Sequence, residues 1–97
     1  MLGENPIKVP AGKKLSGGEV AQALRLAVIA ELDAINLYVQ LASACEDDGV
    51  KRLLLDVAKE EKTHVGEFLE ALLRLDPEQA RELEKGRREV EEILGER

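Results

Sequence analysis

Residues 30–65 read AELDAINLYVQLASACEDDGVKRLLLDVAKEEKTHV, and this stretch decides the fold. It contains two segments rich in alanine and leucine, which flank an acidic turn at 46–49. Alanine and leucine favour helix, whereas Asp48 followed by Gly49 is typical of a break. A short connection between two helices places them side by side and antiparallel. The stretch therefore predicts a helical hairpin.

The residues outside this stretch complete the architecture. Ser16 and Glu19 have the spacing of a capping box, which predicts a helix from about 20 to 45. A second helix follows from about 50 to 75, and the motif DPEQ at 76–79 predicts the start of a third, which ends before Gly95. We predict an all-α chain with an extended arm over 1–18, an antiparallel hairpin over 19–75 and a short C-terminal helix over 76–97.

Composition excludes several classes of function. Twenty acidic against 14 basic residues give a net charge of −6, which argues against a nucleic-acid partner. No apolar run reaches about 18 residues without polar breaks and the N-terminus does not resemble a signal peptide, so we expect no membrane partner. A single cysteine, Cys45, is typical of a cytoplasmic protein without disulfides.

Polar residues interrupt the apolar seam of both long helices. In the first helix Glu31 and Tyr38 belong to the same heptad series as the apolar residues Leu24, Val28, Ile35 and Ala42. In the second helix Glu61 and His64 interrupt a seam formed by Val50, Leu54, Val57, Phe68, Ala71 and Leu75. Glu31, Glu61 and His64 are about equally far from the turn, so an antiparallel hairpin places them at one level.

Two carboxylates and an imidazole in an apolar seam call for a cation, and neither seam contains lysine or arginine. Iron, manganese or zinc suits this ligand set. One Glu on one helix and Glu-x-x-His on the next is half of the ligand set of a di-iron carboxylate bundle. We predict that a second copy of the chain supplies the other half, so that two hairpins dimerise into a four-helix bundle.

The motifs AELDAINLYVQ at 30–40 and DVAKEEKTHVGEFLEALLRLDPEQ at 56–79 resemble the encapsulated ferritins, in particular the ferritin-like domain of encapsulin shell fusions in archaea such as Pyrococcus. The resemblance covers about 19–86 and implies a ferritin-like four-helix bundle. It implies a ferroxidase that oxidises Fe(II) with O2 at a di-iron site shared between two subunits, inside an encapsulin nanocompartment of the cytoplasm. It also implies that Glu31, Glu61 and His64 are iron ligands and that Tyr38 is the aromatic residue beside them.

The family further implies an oligomer built from dimers, about five in a ring, which is a decamer. Manganese and zinc are possible substitutes for iron at such ligands. The residues themselves leave one alternative open, a non-catalytic oligomer or scaffold in which the same side chains bind metal only to hold two hairpins together. A rubrerythrin-like peroxidase is disfavoured because the sequence contains no Cys-x-x-Cys motif.

Overall fold

The computed structural model describes residues 11–97, and they form three α-helices and no strand. Helix α1 spans Gly17–Ala44, α2 spans Asp48–Leu75 and α3 spans Pro77–Leu94. The all-α class and the order of helices predicted from the sequence are confirmed. Residues 1–10 of the predicted arm lie outside the described residues. The last two residues of that arm, 17 and 18, belong to helix α1, because Ser16 is the N-cap of this helix.

Each helix begins where the sequence provides a capping side chain. The Ser16 hydroxyl accepts a hydrogen bond from the backbone N–H of Glu19 at 3.2 Å, and the Glu19 carboxylate accepts one from the backbone N–H of Ser16 at 3.1 Å. Asp47 accepts from the backbone N–H of Val50 at 3.0 Å and starts α2. These bonds pair N–H groups that have no partner inside a helix, which fixes the first residue of each helix.

Helices α1 and α2 pack along their length, but a single chain has a thin core. Four apolar residues of the described part are buried, namely Ala21, Ala42, Ala58 and Leu72. Large apolar side chains remain 40% or more exposed on both helices, among them Ile29, Leu32, Leu37, Val39, Leu41, Val50, Leu53 and Leu55. Exposed apolar surface on this scale is typical of a face that another chain covers.

Helix α1 is also long and apolar enough to cross a membrane, judged by length and composition alone, although the sequence predicts no membrane span. Length and apolar composition of this kind also occur in helices that pack against other protein. Glu31 and Asp33 lie within this helix, and ionisable groups are costly in lipid.

Candidate metal centre

The antiparallel packing of α1 on α2 brings three of the predicted site residues together. The potential ligand atoms of Glu31, Glu61 and His64 all lie within 4.8 Å of one another. Glu61 and His64 are three residues apart on α2, so both project from one side of that helix, and Glu31 meets them from α1. Among the described residues, no other group of three or more His, Cys, Asp or Glu side chains comes together in this way.

The three side chains converge without hydrogen bonding to one another. His64 Nδ1 lies 3.4 Å from Glu61 Oε1 and 3.7 Å from Glu31 Oε2, which are both longer than an N–H···O hydrogen bond. Oε2 of Glu31 is buried and accepts no hydrogen bond from any described residue. A buried carboxylate oxygen without a partner costs several kcal/mol by order of magnitude, so this arrangement is suited to binding a cation.

The cluster is closed on one side and open on the other. The Glu31 and Glu61 side chains are 19% and 18% exposed, whereas the His64 side chain is 44% exposed. Leu53 and Leu75 lie eleven residues before and after His64, three helical turns away, and therefore share its face of α2. They are 61% and 50% exposed, so this face of α2 carries an exposed leucine about 16 Å from His64 in each direction.

Tyr38 does not belong to the cluster. It lies seven residues after Glu31 on the same face of α1, about 10 Å further along the helix axis, and is half-buried. That separation is too large for a shared ligand position, so its predicted part in catalysis stays a prediction.

A second polar group links the hairpin to α3, and the sequence analysis missed it. The Arg25 guanidinium on α1 forms an ion pair with Asp76 and donates from Nε to Gln79 Oε1 at 3.2 Å. The backbone N–H of Gln79, and also Arg25, lower the pKa of Asp76 below its usual value. The sequence offered one signal for this contact: Arg25 is the only cationic residue in the apolar stretch from 20 to 30.

Comparisons with known proteins agree with the geometry. The profile of the EncFtn-like family matches residues 14–87. The chain is 55% identical over 95 residues to a ferritin-like-encapsulin shell fusion protein of Pyrococcus furiosus, covering 98% of this chain and 28% of that protein. It is 42% identical over 76 residues to an encapsulin nanocompartment cargo protein of Myxococcus xanthus, covering 78% of this chain and 58% of the relative.

A solved structure matches over nearly the whole chain. The crystal structure of the encapsulated ferritin domain from Pyrococcus furiosus superposes with a TM-score of 0.87 at 53% identity, covering 99% of this chain and 98% of that one. The chain therefore corresponds in extent to the ferritin domain, while it spans only 28% and 58% of the two longer relatives.

Proposed function

The chain belongs to the EncFtn-like family, as its sequence predicted, and on that premise we propose that it is a ferroxidase. It oxidises Fe(II) to Fe(III) with O2 at a di-iron site shared between two copies of the chain. The product feeds iron storage inside an encapsulin nanocompartment of the cytoplasm. Iron is both the substrate and the metal of the site, with manganese and zinc as substitutes that bind without turnover.

The observation that carries this proposal is the convergence of Glu31, Glu61 and His64 around a buried oxygen that accepts no hydrogen bond. Two carboxylates and one imidazole provide hard and borderline donors, which suit Fe(II). The carboxylate charge favours Fe(III) over Fe(II), because the ion of higher charge gains more from the same anions.

A second copy of the chain completes the site. Di-iron carboxylate bundles take one Glu from each of two helices and Glu-x-x-His from each of the other two, and one chain provides half of this set. Exposed leucines lie three turns to either side of His64 on the same face of α2, and a second hairpin buries this face when it brings its own three ligands. The symmetric result is a four-helix bundle with two iron ions between the chains.

The overall reaction balances with two iron ions per dimer. Each Fe(II) gives up one electron, and O2 takes two electrons and two protons to become hydrogen peroxide. The part of this chain is to bind the two ions side by side, so that both electrons reach the same O2 molecule. Net charge of −6 favours the approach of Fe(II) to the protein.

The shell and the larger assembly belong to the proposal as well. One relative is fused to an encapsulin shell and another is a cargo protein of an encapsulin nanocompartment, so we place this chain inside such a shell. We also propose that the chain forms a decamer of five dimers, as the family resemblance implies. Exposed apolar side chains also lie on α3, away from the cluster, at Val90, Ile93 and Leu94, which supports an assembly larger than a dimer.

Aerobic oxidation of Fe(II) tests the proposal, followed by ferric absorbance in a stopped-flow instrument and by O2 consumption. We expect a fast phase that ends at about one iron per chain and consumes about one O2 per two iron ions. Glu61→Gln removes this phase, whereas Glu60→Gln, its exposed neighbour, preserves it. Metal binding without oxidation would support the metal-stapled oligomer instead, and a fast phase in Glu61→Gln would contradict the assigned ligands.

A further inference from the structure

Helix α3 leaves the hairpin instead of packing along it. No Cα of α3 comes within 8 Å of α1, and its contacts with α2 are few. The overall dimensions are 47 × 45 × 19 Å. A helix of 28 residues accounts for about 42 Å in one direction, and the second long dimension agrees with an α3 that projects sideways from the hairpin.

The corner between α2 and α3 is held from α1 by one side chain. Asp76 ends α2, where its backbone N–H donates to the Leu72 carbonyl at 2.9 Å, and it caps α3, where its Oδ1 accepts from the backbone N–H of Gln79 at 3.0 Å. Its other oxygen, Oδ2, is the one that pairs with Arg25. The same guanidinium reaches the Gln79 side chain, so all three helices meet at this point.

We propose that Arg25, Asp76 and Gln79, here called the corner joint, fix the direction in which α3 projects from the hairpin. An isolated surface ion pair contributes little to stability, but this joint acts through geometry. The guanidinium is planar, and it holds one group of the corner through Nε and another through its terminal nitrogen. Rotation of α3 about the corner moves Asp76 and Gln79 differently and breaks at least one of the two contacts.

The direction of α3 matters because this helix carries exposed apolar side chains. Leu83, Val90 and Leu94 follow one face of α3 at helical spacing and are 40%, 52% and 77% exposed. The corner joint therefore determines where this face lies relative to the candidate metal centre. The joint contains none of Glu31, Glu61 and His64, so it is separate from the proposed ferroxidase activity.

Distance measurements between spin labels test the joint in the full-length chain. Labels are attached at Gln40→Cys on α1 and Glu89→Cys on α3 in a Cys45→Ala background, and labelled chains are diluted with unlabelled ones so that only distances within a chain are measured. The parent gives one narrow distance distribution. We expect Arg25→Met to widen it at least twofold, while Fe(II) oxidation in the unlabelled Arg25→Met protein retains its stoichiometry.

Two further variants make the test specific. Asp76→Asn keeps a good N-cap but removes the charge that pairs with Arg25, so it produces the same widening. Arg74→Met removes an exposed arginine that pairs with Glu70 inside α2 and leaves the distribution unchanged. Circular dichroism confirms that the helices are retained. A narrow distribution in folded Arg25→Met and Asp76→Asn, centred at the parent distance, would overturn the proposal.

Discussion

Neutralising Glu31 is expected to stabilise the metal-free protein and to weaken metal binding. The ligand atoms of Glu31 and Glu61 lie within 4.8 Å of each other. Two unit charges at that separation repel by about 3.5 kcal/mol at an effective dielectric constant of about 20, and by about 0.9 kcal/mol in bulk water. Since less than a fifth of each side chain is exposed, about 2 kcal/mol is a reasonable value. The Glu31→Gln variant removes this repulsion.

Calorimetry at neutral pH and fixed protein concentration measures both effects. A change of 1 kcal/mol shifts the Tm of a domain of this size by about 4–8 °C, so metal-free Glu31→Gln is expected to melt about 8 °C or more above the parent. Mn(II), which tests binding without oxidation, raises the Tm of the parent by mass action and raises that of the variant much less. Glu89→Gln makes the same charge change on an exposed position of α3 and changes neither value.

A lower Tm for metal-free Glu31→Gln would mean that the carboxylate stabilises the fold. An undiminished effect of Mn(II) on the variant would mean that the ion binds elsewhere. Either result would contradict the assignment of the buried Glu31 oxygen, which accepts no hydrogen bond, to a metal site.

Three further changes test other parts of the structure. Arg87→Met is expected to raise the pKa of Glu84, which NMR of the carboxyl carbon measures. Arg87 and then Arg88 lower that pKa from 4.5 to about 2. The stabilisation from this ion pair is therefore present above pH 4.5 and disappears as the pH falls through about 2. An unchanged pKa in Arg87→Met would contradict the ion pair. Tyr38→Phe retains the iron stoichiometry in a stopped-flow titration and alters only the rate, because Tyr38 lies about 10 Å along α1 from Glu31; lost stoichiometry would make it a ligand. Asp47→Ala removes the cap of α2 and lowers stability by about 1 kcal/mol in urea unfolding, whereas Asp47→Asn preserves it.

The sequence alone was sufficient to predict the three helices and the position along the hairpin at which Glu31, Glu61 and His64 meet. Capping residues are local signals, so Ser16, Asp47 and Asp76 mark helix starts without knowledge of the tertiary structure. The convergence of Glu31 with Glu61 and His64 needed one more step, the antiparallel hairpin, and the short turn provided it.

Other features depend on tertiary structure and were not predicted. The contact of Arg25 with Asp76 spans 51 residues, and it requires the angle between α2 and α3, which no local pattern contains. The sequence places His64 in an apolar seam, but its side chain is 44% exposed in the single chain. A heptad seam does not distinguish a partner helix in the same chain from one in a second chain.

Anomalous diffraction at the iron edge, from crystals loaded with Fe(II) without oxygen, tests the central claim most directly. We predict two iron ions between two copies of the chain, bound by Glu31, Glu61 and His64 of each copy. One iron ion enclosed by a single chain, or iron bound away from these three residues, would contradict the shared di-iron site.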